Sequence, residues 1–462
     1  MAATTLGTAK ETLLGWAWPP AVSLARRAVL NIFSGLRTGN LVIIDQVNGT
    51  KYAFGQSSLV RLGNANNPET NNALPEVKLL VKNDTFWLRL SLFADIGFAE
   101  GYMMTDFECG DLVSFFQLFI KNRDNINGGT TALSAFSSVI ARVSRSTNTR
   151  ENSLLNTAAH YDISNDMFAA FLSEDMTYSC PIWRPVSLNE TGDGLETLAE
   201  AQQTKLLRFI KGAKIKATDH VLEIGTGWGS FAIEAVKQTG CRVTSITLSQ
   251  KQKVLAEKRI KLAGFSHLIE VRFMDYRDLP TPEEPYDKII SIEMIEAVGE
   301  AHLAEYFAII HRLLNKDTGI AMFQCITIPE DQHAAGLGKP GFIDQYIFPG
   351  GYLPSNTELL NHVTTQSQGT LTLERVENIG GHYAKALRLW RQNFLDNFDD
   401  KITPALLECY PTISDESIQV FRRKWEYYFS YCEAGFLTRT LSDVIITVGR
   451  TGAMELMDNV PL

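Results

Sequence analysis

Five short apolar runs, Val221–Ile224, Arg242–Leu248, Ile269–Phe273, Lys288–Ile292 and Ile320–Ile326, punctuate the second half of the chain, each separated from the next by a segment of helical period. Strands covered on both faces read as near-continuous apolar runs, so this alternation predicts a doubly wound, mostly parallel α/β sheet. The first part has another rhythm. Gly39–Gly55 predicts two short strands joined by Asn48-Gly49, a dipeptide that tolerates the positive φ of a tight turn. Val77–Phe93 continues the strand-like alternation, and Ala99–Lys121 predicts a helical run. Residues 122–153 are rich in Asn, Gly, Ser and Thr and predict a linker, with a helical turn or two over Ala132–Val143. The expected division is an α+β accessory domain over 1–125, a linker over 126–153 and the large α/β domain over 154–462.

Charge adds to this division. Residues 1–150 carry 14 Lys and Arg against 11 Asp and Glu, the remainder 29 against 41, so a front of net +3 precedes a back of net −12. That argues against a general nucleic-acid binder, which needs a dense cationic face. The cysteines at 109, 180, 241, 325, 409 and 432 form no C-x-x-C pair, which predicts reduced thiols and a cytoplasmic protein. Pro19-Pro20 and Arg26-Arg27 interrupt the apolar stretch Thr12–Leu36, so it predicts no spanning helix. An amphipathic helix after Pro20 is expected instead, packed on the protein or lying on a membrane. The eight histidines show no H-x-x-x-H spacing, so no metal is expected.

The candidate chemistry starts at HVLEIGTGWGSFAIEAVKQTG, residues 220–240. A strand ending at Glu223-Ile224, a turn holding Gly225, Thr226, Gly227, Trp228 and Gly229, and an immediate helix describe a turn whose backbone approaches a ligand closely. A dinucleotide fingerprint would need Gly at 230, which is Ser, and an acid where the second strand ends in Thr247-Leu248-Ser249. With FMDYRDLP after the third strand, bringing Asp275 and Tyr276 towards an adenine, and YDKIISIEMIEAVG forming the fourth, the order is that of class I S-adenosylmethionine methyltransferases.

The chain closely resembles the cyclopropane fatty acid synthases, including the mycolic acid cyclopropane synthases. The resemblance is carried by HYDISNDMFAAFLSEDMTYSCPIW (160–183), LEIGTGWG (222–229), ITLSQKQ (246–252), EMIEAVG (293–299), YIFPGGYLPS (346–355), GGHYAKALRLWRQNF (380–394) and YYFSYCEAGF (427–436). GFAEGYMMTDFEC (97–109) is similar to the accessory domain of the full-length enzymes. Ala297 and Gln324, which stand where many bacterial members have His, are similar to the plant and fungal branch.

The resemblance implies transfer of the methyl carbon of S-adenosylmethionine to a cis double bond of an unsaturated acyl chain, expected to be phospholipid-bound, then deprotonation that closes a cyclopropane ring. The implied base is a bicarbonate ion held at Cys180, Glu296, Gln324, Ile326 and Tyr383, and a motif cysteine falls on Cys432. The implied cofactor positions are Tyr178, Ser179, the turn 225–229, Thr247, Leu248, Gln252, Tyr276 and Arg277. His160 and His382 are expected to hydrogen-bond beside the site. A peripheral membrane contact through Trp16, Trp18, Arg26 and Arg27 and a possible homodimer complete the expectation. The alternatives are lipid or sphingolipid methylation without ring closure, methylation of a small molecule such as an alkaloid nitrogen, and a noncatalytic lipid-binding protein.

Overall fold

The computed structural model describes residues 19–55, 76–126, 164–185, 196–336 and 341–458. They fall into two compact units. The first takes the chain up to Asp162 together with Pro340–Ile347 and Thr412–Thr438; the second takes Ile163–Lys339, Phe348–Pro411 and Arg439–Leu462. The region expected to be a linker lies, beyond residue 126, outside the described residues, as do Trp16, Trp18 and His160.

The first unit is a small α+β assembly. Strands β1 (Asn40–Asp45), β2 (Thr50–Gly55), β3 (Glu76–Val81) and β4 (Phe107–Cys109) form one sheet in the order β2-β1-β3-β4. The predicted hairpin is present: β1 pairs antiparallel with β2, and Asp45 Oδ1 accepts from the N–H groups of Val47 (3.0 Å) and Asn48 (3.3 Å) in the turn. The strand reading of Val77–Phe93 holds only to Val81, because a helix, Thr85–Met103, begins once Asn83 Oδ1 accepts from the Thr85 N–H at 3.1 Å. Phe86 and Trp87 bury from that helix, not from a sheet face. The helical run expected over Ala99–Lys121 is interrupted too: Thr105 turns the chain at φ +58°, and Phe107–Cys109 pairs antiparallel with β3 before the helix Leu112–Asn122 starts.

The helix over residues 19–33 buries Val22, Ala25, Val29 and Phe33, a spacing that fits one helical face. Arg26 lies on that side of it. Its guanidinium pairs with Asp84 at 2.9 Å and Asp45 at 3.3 Å and sits over the Trp87 ring, so the expected lipid-facing role of Arg26 is corrected: the charge is spent within the unit.

A long helix from late in the sequence, Asp415–Leu437, packs on Thr85–Met103 and Leu112–Asn122. Aromatic rings fill this seam: Phe98 stacks on Phe115 at 4.3 Å, and Tyr427 meets Phe116 at 5.0 Å and Phe342 at 4.6 Å. Arg423 ties the helix to the sheet by donating to the carbonyls of Tyr102 and Phe107, pairing with Glu108 at 3.3 Å and covering the Tyr102 ring at 3.8 Å. Cys432 lies on the same helix, half-buried.

The second unit has a seven-stranded sheet, β5 (His220–Ile224), β6 (Arg242–Thr247), β7 (Ile269–Phe273), β8 (Lys288–Ile292), β9 (Ile320–Thr327), β10 (Leu371–Asn378) and β11 (Ser442–Arg450), in the order β10-β11-β9-β8-β5-β6-β7. The five predicted strands are β5 to β9, all mutually parallel. β11 is antiparallel to β9 and β10 antiparallel to β11, an edge the apolar-run pattern passes over because β10 is exposed along most of its length. The strand order reverses between β5 and β8, so the crevice beyond their carboxyl ends is where a ligand belongs.

Among the described residues, no helix is long and apolar enough to cross a membrane. We predict that Arg423→Ala destabilises the first unit by about 3 kcal/mol, since it leaves buried carbonyls and a carboxylate without their cation, and that Arg423→Lys recovers only part of the loss. Denaturant unfolding of the three proteins measures it.

Candidate active site

At the end of β5 the chain turns through three left-handed glycines, Gly225 (φ +101°), Gly227 (+52°) and Gly229 (+85°), before the helix Ser230–Thr239. The N–H groups of Gly225 and Thr226 both donate to the Ile246 carbonyl at 3.0 Å, locking the turn against β6. A Cβ on Gly227 would meet nothing within 4 Å, so this backbone faces open space that a ligand can enter. Thr226 Oγ1 and Ser245 Oγ lie 2.6 Å apart, and Ser245 in turn donates to the buried Glu223 carboxyl. Burial pushes that carboxyl up to about 8, with the Ser245 hydrogen bond opposing the shift. Trp228 Nε1 donates to Asn165 Oδ1 at 2.9 Å, and Arg259 holds the Trp228 carbonyl at 2.7 Å.

Beyond β6, the Thr247 hydroxyl donates to Gln252 Oε1 at 2.9 Å and accepts from the Ser249 N–H, while the Leu248 side chain is exposed. Beyond β7, Arg277 grips Asp275 through Nε at 2.9 Å and Nη2 at 2.7 Å, and this hydrogen-bonded cation holds the Asp275 carboxyl below its ordinary range. Tyr276 is buried edge-on to Tyr306 at 5.2 Å. The residues expected to take the cofactor thus gather at the carboxyl ends of β5, β6 and β7. Ser179 differs in detail: its hydroxyl accepts from the buried Lys205 Nζ at 2.6 Å, and its carbonyl from Gln202 at 2.8 Å, so it braces its loop.

A second cluster lies where β8 and β9 end. Glu293, the first residue beyond β8 that carries a carboxylate, accepts from the Cys180 N–H at 2.6 Å and from Gln324 Nε2 at 2.7 Å on Oε1, and from the Tyr383 hydroxyl at 2.7 Å on Oε2. Three separate elements supply these donors: the loop after Asn165–Phe171, strand β9 and the helix Gly380–Asp396. Gly380 permits the last of them, because a Cβ there would lie 2.7 Å from the Asp443 backbone nitrogen on β11. The same close approach lets the Ile379 N–H reach the Asp443 carbonyl at 2.7 Å. Gln324 also donates to Asp443 Oδ2 at 3.0 Å. Glu296 accepts from the Ile326 N–H at 2.6 Å, and its other oxygen is buried with no hydrogen-bond partner among the described residues.

Electrostatics separates these acids. Burial, with Glu293 close by, pushes the Glu296 carboxyl up to about 8, and burial beside Glu293 raises Asp443 well above the usual carboxylate range. Burial also depresses the Lys205 ammonium and raises the Cys180 thiol, so Cys180 is no nucleophile and contributes its N–H. Aromatic rings join the two clusters: Trp228 to Phe168 (4.9 Å), Phe168 to Tyr178 (5.2 Å), Tyr178 to Trp390 (5.2 Å) and Trp390 to Tyr383 (5.7 Å). His382 is a scaffold member, its Nδ1 accepting from the Trp183 N–H at 3.1 Å.

Four of the five residues assigned to bicarbonate, Cys180, Gln324, Tyr383 and Glu296, therefore do meet around Glu293, and Ile326 joins them through Glu296. They do not fit a further anion: the Cys180, Gln324 and Tyr383 donors already point at Glu293, and the Ile326 N–H at Glu296. Cys432 belongs to the first unit, on the helix Asp415–Leu437, with its thiol pushed up to about 12 by burial. Sequence reasoning passes over Glu293, Asp443 and Lys205. The signal for Glu293 is present in EMIEAVG, where a carboxylate directly follows a parallel strand that points at the ligand crevice.

Residues 148–445 match the family described as mycolic acid cyclopropane synthetase. The chain belongs to this family. It is 36% identical, over 80% of its length and 82% of the relative's, to the tuberculostearic acid methyltransferase UfaA1 of Mycobacterium tuberculosis. It is 28% identical, over 84% of its length and 91% of the relative's, to the cyclopropane-fatty-acyl-phospholipid synthase of Escherichia coli. Among solved structures it is similar to the mycolic acid cyclopropane synthase CmaA1 complexed with SAH and CTAB, at 27% identity and TM-score 0.51, covering 64% of this chain and 98% of that one. The fold is that of a class I S-adenosylmethionine methyltransferase, with S-adenosylmethionine as cosubstrate.

Two outcomes are expected. Gly225→Ala, which sets a side chain on a backbone at φ +101° and 3.3 Å from Met294, lowers S-adenosylmethionine affinity by about tenfold in calorimetry. Glu296 is protonated in the folded protein up to about pH 8 but ionises near 4.5 when unfolded, so its burial costs increasing stability as pH rises through that window. The stability of Glu296→Gln relative to the parent should therefore climb between those pH values and level off above them, as measured by denaturant unfolding.

Proposed function

We propose that this protein transfers the methyl carbon of S-adenosylmethionine to a cis double bond of an unsaturated acyl chain, carried by a phospholipid, and that loss of a proton from the added carbon closes a cyclopropane ring. One observation carries the reading: a hydrogen-bonded acid, Glu293, stands with Tyr383 at the far end of an aromatic wall that begins at the glycine turn. Methylating an alkene leaves a cation on the neighbouring carbon. Such a site has to stabilise positive charge without offering a nucleophile and then remove a proton.

The arrangement supports each need. The face of Tyr178, which is only partly buried, attracts a cation by about 0.5–2 kcal/mol. The Cys180 and Cys325 thiols, raised by burial, are not thiolates that would trap it. The E. coli relative named for this reaction aligns over most of both chains.

A second reading, methylation of the acyl chain without ring closure, is favoured by the 36% identity to a tuberculostearic acid methyltransferase. Both readings share the cation and the deprotonation; without ring closure a hydride first shifts from the methylated carbon to its cationic neighbour, and the pair released from the added methyl then forms a carbon–carbon double bond.

Purified protein, S-adenosylmethionine and vesicles of a cis-unsaturated phospholipid should yield an acyl chain heavier by one methylene. Gas chromatography with mass spectrometry, backed by proton NMR for the ring hydrogens, separates ring from methylene or branch. Release of S-adenosylhomocysteine with no change in the lipid sinks both readings.

A further inference from the structure

We propose that Glu293 is the catalytic base of this methylation, and that its carboxylate takes within the protein the place an exogenous bicarbonate would hold, so that turnover needs no added anion. The inference rests on the acyl-methylation reading above.

The donor geometry is the first argument. Three donors on three elements converge on one carboxylate at 2.6, 2.7 and 2.7 Å. Two of them load Oε1, while Oε2 takes the Tyr383 hydroxyl, so Oε2 is the oxygen placed to receive a proton. A bicarbonate would need these same donors and would face the repulsion of a carboxylate already seated on them.

The backbone is the second. Glu293 sits at φ +47°, a left-handed conformation that costs a residue with a Cβ, and its N–H is pinned to the Gln324 carbonyl at 2.9 Å. Glycine would occupy that position without strain. A glutamate kept there despite the strain marks a side chain required for its carboxylate.

The surroundings are the third. The titratable groups facing Glu293 are Glu296, Asp443, Cys180, Cys325, Tyr383 and Lys205. Burial pushes the Glu296 and Asp443 carboxyls and the two thiols up, and Glu293 is the acid on which the three donors converge. In the step itself a C–H bond of the added methyl group breaks. Its electron pair forms the carbon–carbon bond that closes the ring, the cation is discharged, and the proton ends on Glu293 Oε2. Solvent water takes that proton before the next turnover.

The test uses the full-length protein, Glu293→Gly and Glu293→Gln, each checked for S-adenosylmethionine binding by calorimetry, in carbonate-stripped buffer under argon and again with sodium bicarbonate added. The parent should turn over at the same rate in both. Glu293→Gly should lose about a hundredfold of the rate when stripped and regain about tenfold with bicarbonate, because removing the side chain frees the donors and relaxes the backbone. Glu293→Gln, which still fills the space, should stay inactive in both. Carbon-13 NMR of labelled bicarbonate should show binding to Glu293→Gly and none to the parent. A parent whose rate collapses on stripping and returns with bicarbonate, or that binds the labelled ion, overturns the proposal. A parent that makes no lipid product under any condition overturns the functional reading instead, and the labelled-ion measurement still decides whether Glu293 or bicarbonate holds the donors.

Discussion

The hydrogen bonds converging on the Glu293 carboxylate are the constraint on which the catalytic unit is organised. To deliver them, a loop must bring the Cys180 N–H, a central strand must carry Gln324 in its interior, and a helix must start within touching distance of β11 so that Tyr383 reaches inwards. The order of the strands follows the same demand. β9 lies between β8, which ends just before Glu293, and β11, which brings Asp443, so Gln324 is placed between the two acids it donates to.

A buried acid cluster is expensive unless protonation and pairing are arranged site by site. Here the acids divide the work. Glu296 accepts one backbone N–H and is disposed to keep its proton; Asp443 is shielded with Gln324; Glu293 collects the strongest set of donors. Lys205, its ammonium depressed by burial, donates to the Ser179 hydroxyl and braces the loop that carries Cys180. The aromatic wall leading from Trp228 to Tyr383 then offers ring faces and no competing lone pair of high basicity, which suits a transient cation.

Much of this is legible in the chain. The parallel strands announce themselves as apolar runs, and the glycine turn by its position after the first of them, because both signals are local. β10 and β11 escape that reading because one is an exposed edge strand with charged residues facing solvent, and the other lies far along the chain from the alternating runs. The strand reading of Val77–Phe93 overruns because alternation cannot show that the Asn83 side chain accepts from the Thr85 N–H where the next helix begins. Cys180, Gln324 and Tyr383 come from resemblance and do meet, but what they meet on does not follow from it. A glutamate in a strand-end motif looks the same on paper whether it faces solvent or collects three donors from residues 31 to 113 positions away. Only the fold measures that.

The two units also interleave along the chain, since Pro340–Ile347 and Thr412–Thr438 belong to the first although the second surrounds them in sequence. No single cut separates them. A chain ended after the N-terminal strands would lack Asp415–Leu437, and with it the rings of Tyr427 and the guanidinium of Arg423 that complete the seam. A chain begun after that region would carry the same helix with its aromatic face uncovered. The front piece and a helix some three hundred residues later are therefore parts of one packed unit, so a substitution in either is felt by the other.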